Sequence, residues 1–115
     1  MIDENKIKEI KEKIANAVLP DKIILFGSYA LGTQTIDSDI DLVVIANEKG
    51  SQHQKNIKVK RLFPGRDFSL DVFVFTSDEE KKYGMIRGTI LNTAITTGKV
   101  LYERSQSCPT ILLSK

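Results

Sequence analysis

The sequence predicts an α/β domain with a small mixed β-sheet flanked by helices. Three strand-length runs rich in apolar residues carry this prediction, at residues 23–26, 40–45 and 68–75. Segments with helical periodicity or helix-capping residues precede, separate and follow these runs. A chain of 115 residues that is 41% hydrophobic is near the commonest domain size and can bury one core. We therefore expect a single domain over residues 1–104, followed by a C-terminal tail of residues 105–115.

The first predicted helix ends before Pro20. Apolar residues recur ahead of this proline at helical spacing, namely Ile7, Ile10, Ile14, Ala17 and Val18. The lysines and glutamates beside this stripe are typical of a solvated face, so the helix is expected to be a scaffold. The apolar run 23–26 then forms a short buried strand.

The dipeptide Gly27-Ser28 directly follows this strand and indicates a turn into a second helix. Backbone N–H groups at the start of a helix lack intrahelical partners, and the helix dipole favours negative charge there. Such a turn can therefore hold a phosphate. Gly27 would let the backbone approach closely, and the Ser28 hydroxyl would add a donor. Taken alone, however, most Gly-Ser dipeptides are simple turns.

Two acids lie where the second predicted strand begins. Because side chains alternate along a strand, Asp39 and Asp41 are expected on one face, with Ile40 on the other. Two carboxylates that face the same way repel each other, and a hard divalent cation such as Mg²⁺ removes the repulsion. Taken alone, the segment 38–41 is also typical of a solvated turn that leads into a strand.

A third acid, Asp71, is embedded in the third predicted strand. If that strand lies beside the second one, three carboxylates converge. Three carboxylates suit two metal ions roughly 3.5–4 Å apart that flank an in-line phosphoryl displacement. Taken alone, Asp71 could be a charge that discourages pairing at a sheet edge. The joint pattern of strand, Gly-Ser turn, spacer and two acid-bearing strands favours the functional interpretation.

Residues 52–62 are a weak helix candidate without a clean apolar stripe. The only histidine, His53, is expected to be exposed rather than to act as a ligand or base. The densest basic cluster comprises Lys58, Lys60, Arg61 and Arg66. A contact with phosphates or an acidic partner is one interpretation of this cluster, and a solvated helix face is the better one.

The segment Ser77 to Glu80 has capping-box spacing and predicts the start of a helical region that is interrupted near Gly84. Its apolar stripe consists of Ile86, Ile90, Leu91, Ala94 and Ile95. Gly98 is a natural end for this region. Residues 100–102 can then add a short edge strand.

Composition excludes several functional classes. The net charge of +2 is mild and does not by itself indicate nucleic-acid binding, which normally shows as a concentrated basic stripe. Direct nucleic-acid binding is therefore not predicted. The single Cys108 cannot form an intramolecular disulfide and is expected to be a free thiol. The charged N-terminus and the lack of a long apolar run predict neither a signal peptide nor a membrane span. The cytoplasm is the default location.

The chain resembles the minimal nucleotidyltransferases, the smallest members of the DNA polymerase beta-like nucleotidyltransferase superfamily. Their mark is Gly-Ser, a spacer of about ten residues, Asp-x-Asp, and a third acid on a later strand. Here Gly27-Ser28, ten intervening residues, Asp39-Ile40-Asp41 and Asp71 match that mark. The resemblance covers roughly Ile7 to Glu103 and identifies the superfamily without identifying the acceptor.

The resemblance implies a metal-dependent enzyme that transfers a nucleoside monophosphate, AMP from ATP at the family level, to a hydroxyl. Asp39, Asp41 and Asp71 would be the catalytic acids and the metal ligands, with two Mg²⁺ ions expected. Asp39 and Asp41 would hold Mg²⁺ on the nucleotide, and Asp71 would serve the second ion beside the attacking hydroxyl. Gly27 and Ser28 would bind the nucleotide phosphates.

The resemblance also implies a partner, because these proteins frequently pair with a small helical HEPN-domain protein. In such pairs the nucleotidyltransferase is an antitoxin that transfers AMP to a tyrosine of a ribonuclease toxin. Few residues follow Glu103, so completing an open site would need such a partner or a second copy of the chain. Two alternatives remain. One is an enzyme that acts on a small molecule such as an aminoglycoside, and the other is a module that binds nucleotide or partner without turnover.

Overall fold

The computed structural model describes residues 4–35, 37–65 and 68–104. The helices are α1 (Glu4–Val18), α2 (Ser28–Leu31), α3 (Gln52–Lys60), α4 (Ser77–Tyr83) and α5 (Ile90–Thr97). The strands are β1 (Lys22–Phe26), β2 (Ile40–Ile45), β3 (Leu70–Phe75) and β4 (Lys99–Glu103). The predicted tail of residues 105–115 and the predicted cluster member Arg66 lie outside the described residues.

The described strands form one mixed sheet in the order β3-β2-β1-β4. β1 is antiparallel to both β2 and β4, whereas β2 and β3 are parallel. The parallel pair is connected through α3, as expected, because a parallel connection needs a crossover that is usually helical. The α/β prediction with a mixed sheet is thus confirmed, and so is the short edge strand near residues 100–102.

Each face of the sheet carries its own group of buried side chains because residues alternate along the strands. The first face packs against α1, α2 and α3 through Ile10, Ile14, Ile23, Leu25, Leu42, Val44, Val59 and Val72. The second face packs against α5 through Ile24, Phe26, Val43, Ile45, Leu91 and Ala94. The odd-numbered residues of β2 and β3, including Asp41 and Asp71, therefore belong to the α5 side.

The amphipathic prediction for α1 holds for most of its positions. Ile10, Ile14 and Val18 are buried, and Ile7 packs partly against the same group. Ala17 was expected in this stripe, but it is exposed. None of the helices in the described ranges is long and apolar enough to cross a membrane.

Polar contacts hold α3 against the outer edge of β3. Gln52 Nε2 donates to the carbonyl of Val74 at 2.5 Å, and Asn56 Oδ1 accepts from the Val74 N–H at 2.9 Å. These side chains satisfy backbone groups that an edge strand would otherwise expose. This use of amide side chains explains why residues 52–62 lack a clean apolar stripe although they include a helix.

The helical region opens at Ser77, as predicted, but its capping box begins one residue earlier. Thr76 is the N-cap, and its side chain accepts from the Glu79 N–H while Glu79 accepts from the Thr76 N–H. Thr76-x-x-Glu79 and Ser77-x-x-Glu80 have the same spacing, so spacing alone does not distinguish them. The break near Gly84 is confirmed, because α4 ends at Tyr83 and α5 begins at Ile90.

The apolar stripe predicted for α5 is only partly buried. Leu91 and Ala94 are buried, whereas Ile86, Ile90 and Ile95 are 47%, 41% and 41% exposed. Gly98 ends α5, as predicted. Its φ of −90° is ordinary, so the reason for glycine is space. A Cβ at this position would lie 2.6 Å from the Leu25 carbonyl oxygen of β1.

Candidate active site

Asp41 and Asp71 lie side by side on neighbouring parallel strands. The register of β2 and β3 pairs Asp41 with Asp71, and β1 pairs Phe26 with Asp41 on the other side. Paired residues of adjacent strands point to the same face, so the two carboxylates share the α5 side of the sheet. The third predicted strand therefore lies beside the second, as the convergence of the acids required.

Gly27 places the turn after β1 directly against Asp41. A Cβ built on Gly27 would lie only 2.3 Å from Asp41 Oδ2, and the φ of Gly27 is +78°. A side chain is therefore excluded both by space and by backbone conformation. The sequence prediction that joined the Gly27 turn with the Asp41 strand thus corresponds to a close approach in space.

Ser28 and Tyr29 begin α2, which is only one turn long. The helix predicted to start here exists, but because it is only four residues long its dipole is small. Ser28 is half-buried beside Gly27, whereas the Tyr29 side chain is buried in the core of the first face. Tyr29 thus packs behind the turn.

Asp39 precedes β2 instead of lying within it, because the strand begins at Ile40. Its side chain is exposed. Burial, and after it the negative charges of Asp71 and Asp39, raise the pKa of the Asp41 carboxyl from 3.8 to about 6. The three predicted acids therefore act on one another electrostatically, with Asp41 as the least solvated centre.

The raised pKa of Asp41 predicts a pH-dependent stability of the metal-free protein. The folded-state pKa is above the unfolded-state value, so the stabilising contribution is complete below about pH 4 and is lost as pH rises through about 6. Each unit of pKa difference corresponds to about 1.4 kcal/mol of stability, but Asp41 is only half-buried, so solvent screening makes its actual contribution smaller. From pH 4.5 to pH 8, the free energy of unfolding of the parent should therefore fall by about 1 kcal/mol relative to that of Asp41→Asn.

Urea denaturation at several pH values in the presence of a chelator measures this difference. Asp37→Asn is the matched control, since it removes the same charge from an exposed position in the loop that precedes β2. The parent and Asp37→Asn should have parallel profiles of unfolding free energy against pH. Parallel profiles for the parent and Asp41→Asn would contradict the assignment of the shifted group.

The donor set fits a hard divalent cation. Asp39, Asp41 and Asp71 offer only carboxylate oxygens, which Mg²⁺ prefers, and burial followed by the charges of Asp71 and Asp39 raises the pKa of Asp41. Across the described ranges, no three His, Cys, Asp or Glu side chains are arranged to hold an ion as they stand. Asp41 and Asp71 therefore share a face of the sheet, and the charge of Asp39 also acts on Asp41, but the three carboxylates do not form a complete coordination site.

Sequence reasoning missed Lys60 as a neighbour of the acids. Lys60 Nζ lies 3.8 Å from Asp71 Oδ1, whereas Lys58 forms an ion pair with Glu48. Lys58 and Lys60 of the predicted basic cluster thus pair with different acids. The available signal was the helical spacing of Gln52, Asn56 and Lys60, which places three polar residues on one side of α3.

Two phenylalanines of the acid-bearing face were also missed. The rings of Phe26 and Phe73 lie 6.2 Å apart, centroid to centroid. Phe26 is in register with Asp41, and Phe73 is two residues beyond Asp71 on the same strand. The carboxylates are therefore bordered by an aromatic surface that limits their hydration on one side.

Comparison with known proteins identifies the family. The model of the nucleotidyltransferase domain family matches residues 7–105. The chain belongs to this family, which confirms the resemblance and the enzyme class inferred from Gly27-Ser28 and the acids. Nucleotidyltransferases of this fold generally use divalent metals.

Individual relatives agree with this assignment. The chain is 39% identical over 57 residues to the Methanocaldococcus jannaschii protein named "putative protein adenylyltransferase MJ0141", an alignment that covers 46% of this chain and 58% of that protein. The chain thus spans less than two thirds of this curated relative.

Solved structures share the fold. A crystal structure named as a putative nucleotidyltransferase from Sulfolobus solfataricus has a TM-score of 0.59 and 21% identity, covering 85% of this chain and 78% of that one. A crystal structure of a toxin-antitoxin with AMP-PNP has a TM-score of 0.58 and 24% identity, covering 87% and 76%. These similarities confirm the nucleotidyltransferase fold.

Proposed function

We propose that this chain transfers AMP from ATP to a hydroxyl of a partner protein, as the antitoxin of a toxin-antitoxin pair whose toxin is a small helical HEPN-domain protein. The observation that carries the catalytic part is the pairing of Asp41 with Asp71 beside the Gly27 turn. This arrangement joins a place for phosphates with a place for cations on one face of the sheet.

Each residue has an assigned role. Gly27 and Ser28 bind phosphates of the nucleotide through the backbone of the turn and the serine hydroxyl. Asp39 and Asp41 hold the cation that accompanies the triphosphate, and Asp71 serves a second cation near the acceptor. Bound Mg²⁺ would supply charge stabilisation for the entering and departing oxygens.

The transfer is a balanced displacement at phosphorus. The acceptor oxygen forms a bond to the α-phosphorus, and the bond from that phosphorus to the oxygen bridging the β-phosphate breaks. Pyrophosphate leaves with the bridging oxygen. The acceptor loses its hydroxyl proton, for which Asp71 is the assigned base because its side chain is 45% exposed and can be reached by an incoming group.

A protein acceptor is favoured by exposed apolar side chains on α5 and in the segment before it, because α5 packs on the acid-bearing face of the sheet. Five side chains between α4 and α5 are at least 38% exposed: Tyr83, Met85, Ile86, Ile90 and Ile95. The α5 helix packs on the same sheet face that carries Asp41 and Asp71. Exposed apolar groups of this kind are typical of protein interaction sites.

The relatives support the same acceptor class. One is named as a protein adenylyltransferase, and another was solved as a toxin-antitoxin assembly with an ATP analogue. Both names agree with an adenine nucleotide as donor and with a protein as the receiving molecule.

Radiolabelled ATP tests the proposal directly. The purified chain is incubated with Mg²⁺, ATP labelled in the α-phosphate, and the helical protein encoded next to it, with an aminoglycoside panel in parallel. We expect the label on a tyrosine of the partner, and we expect chelator to abolish it. Labelling of an aminoglycoside instead would replace the protein acceptor by a small molecule. Nucleotide binding without any labelling would support a binding module.

A further inference from the structure

One side of α3 is built to face the edge of β3. Gln52, Asn56 and Lys60 are spaced four residues apart, so they lie on one side of the helix. The first two bond the backbone of Val74, near the end of β3, and Lys60 reaches Asp71, near its beginning. The contacts follow β3 from Val74 back to Asp71 as α3 proceeds from Gln52 to Lys60, so the helix lies antiparallel to the strand.

This anchoring determines where the Lys60 ammonium lies. The two amide contacts prevent α3 from sliding along β3, and Val59 beside Lys60 is fully buried in the core of the first face. The ammonium of Lys60 lies 3.8 Å from Asp71 Oδ1. The side chains of Lys60 and Asp71 are 36% and 45% exposed, so ions in solution can reach the pair.

We propose that Lys60 is the built-in counterion of Asp71 and competes with a divalent cation for that carboxylate. The inference rests on the proposed assignment of Asp71 as a metal ligand. In the protein without bound cation, Lys60 balances the charge of Asp71. A divalent cation at Asp71 must displace the ammonium, so Lys60 weakens cation binding before the nucleotide arrives. Lys60 is therefore a positioning residue that acts through Asp71.

Manganese binding without nucleotide or partner tests the competition. Free Mn²⁺ is measured by electron paramagnetic resonance during titration of the parent chain and of Lys60→Gln. Because the Lys60–Asp71 pair is partly exposed, removing the lysine charge should raise Mn²⁺ affinity by about fivefold, the scale of a solvent-exposed ion pair. Lys60→Arg, which keeps the charge, should bind Mn²⁺ like the parent.

Lys58→Gln is the matched control. It removes the same charge two residues away on the same helix, where the lysine pairs with Glu48. Its Mn²⁺ affinity should stay within about twofold of the parent, since a charge at greater distance in water is screened. Adding Asp71→Asn to Lys60→Gln should remove the gain in affinity.

An equal gain in Lys58→Gln and Lys60→Gln would overturn the proposal, because it would reflect general surface charge. An unchanged affinity in Lys60→Gln would overturn it as well. The measurement uses no ATP and no acceptor, so a failure to transfer AMP to a partner would leave its result unaffected. Failure of the two proposals is therefore distinguishable.

Discussion

Replacing Asp41 by asparagine should lower nucleotidyl transfer at least about 100-fold, the scale of losing one preorganised electrostatic contact to a transition state. Asp41 contacts the Gly27 turn and lies beside Asp71, so it connects the proposed phosphate and cation positions. Asparagine keeps the shape but removes the charge that a cation requires. Asp39→Asn and Asp71→Asn should be impaired as well. The rate of pyrophosphate release with ATP, Mg²⁺ and the acceptor measures the loss.

The fold should survive these changes. Neutralising Asp39 or Asp41 relieves repulsion between apposed carboxylates, so the free energy of unfolding of these two variants near neutral pH should not decrease. Asp37→Asn again serves as the charge-matched control and should retain full activity. An equal loss in Asp37→Asn, or an Asp41→Asn chain that is active with unchanged Mg²⁺ dependence, would remove Asp41 from the site.

Gly27→Ala should be impaired in both stability and transfer. The new methyl would lie 2.3 Å from Asp41 Oδ2, and the backbone has φ +78° and ψ −155°. This conformation is nearly restricted to glycine, and forcing a side chain into it costs about 1–3 kcal/mol. The displaced Asp41 carboxylate should lower the transfer rate about 100-fold, as expected for a misplacement on the order of 1 Å.

Gly32→Ala separates strain from the site effect. Gly32 also has a positive φ, +76°, but a Cβ there would meet nothing within 4 Å. We expect this control to lose about 1 kcal/mol of stability with little change in the transfer rate. Thermal denaturation and initial transfer rates of Gly27→Ala and Gly32→Ala measure the two effects. Equal losses of activity would mean that backbone strain alone, rather than contact with Asp41, explains the effect.

Local patterns predicted much of the fold. The apolar run 40–45 coincides with β2, and the segment around Gly98 contains the predicted helix end. Spacing is ambiguous where two local patterns are equivalent, as for the capping boxes that begin at Thr76 and Ser77. The exposed Ile86, Ile90 and Ile95 show a second limit, because helical spacing identifies an apolar side without specifying which neighbour covers it.

The candidate site was predictable where its residues belong to a motif. Gly27, Ser28, Asp39 and Asp41 lie within one short segment, so their spacing carries the signal. Lys60 belongs to no motif: helical spacing indicates its side of α3, but its approach to Asp71 depends on the register between α3 and β3. Phe26 and Phe73 face each other only after the sheet has formed. Contacts between segments that are distant in the sequence cannot be predicted from residue spacing alone.

The parallel pairing of β2 with β3 also makes the completion of the candidate site depend on the order of synthesis and folding. Asp41 and Asp71 are 30 positions apart in the sequence, and they meet only after the crossover through α3 has closed. Such non-local pairing forms late, since its loop-closure entropy must be met before the contact stabilises the chain. During translation, Asp39 and Asp41 are made before β3 exists. Until β3 has docked, a nascent chain carries them as an acidic turn that lacks the third carboxylate.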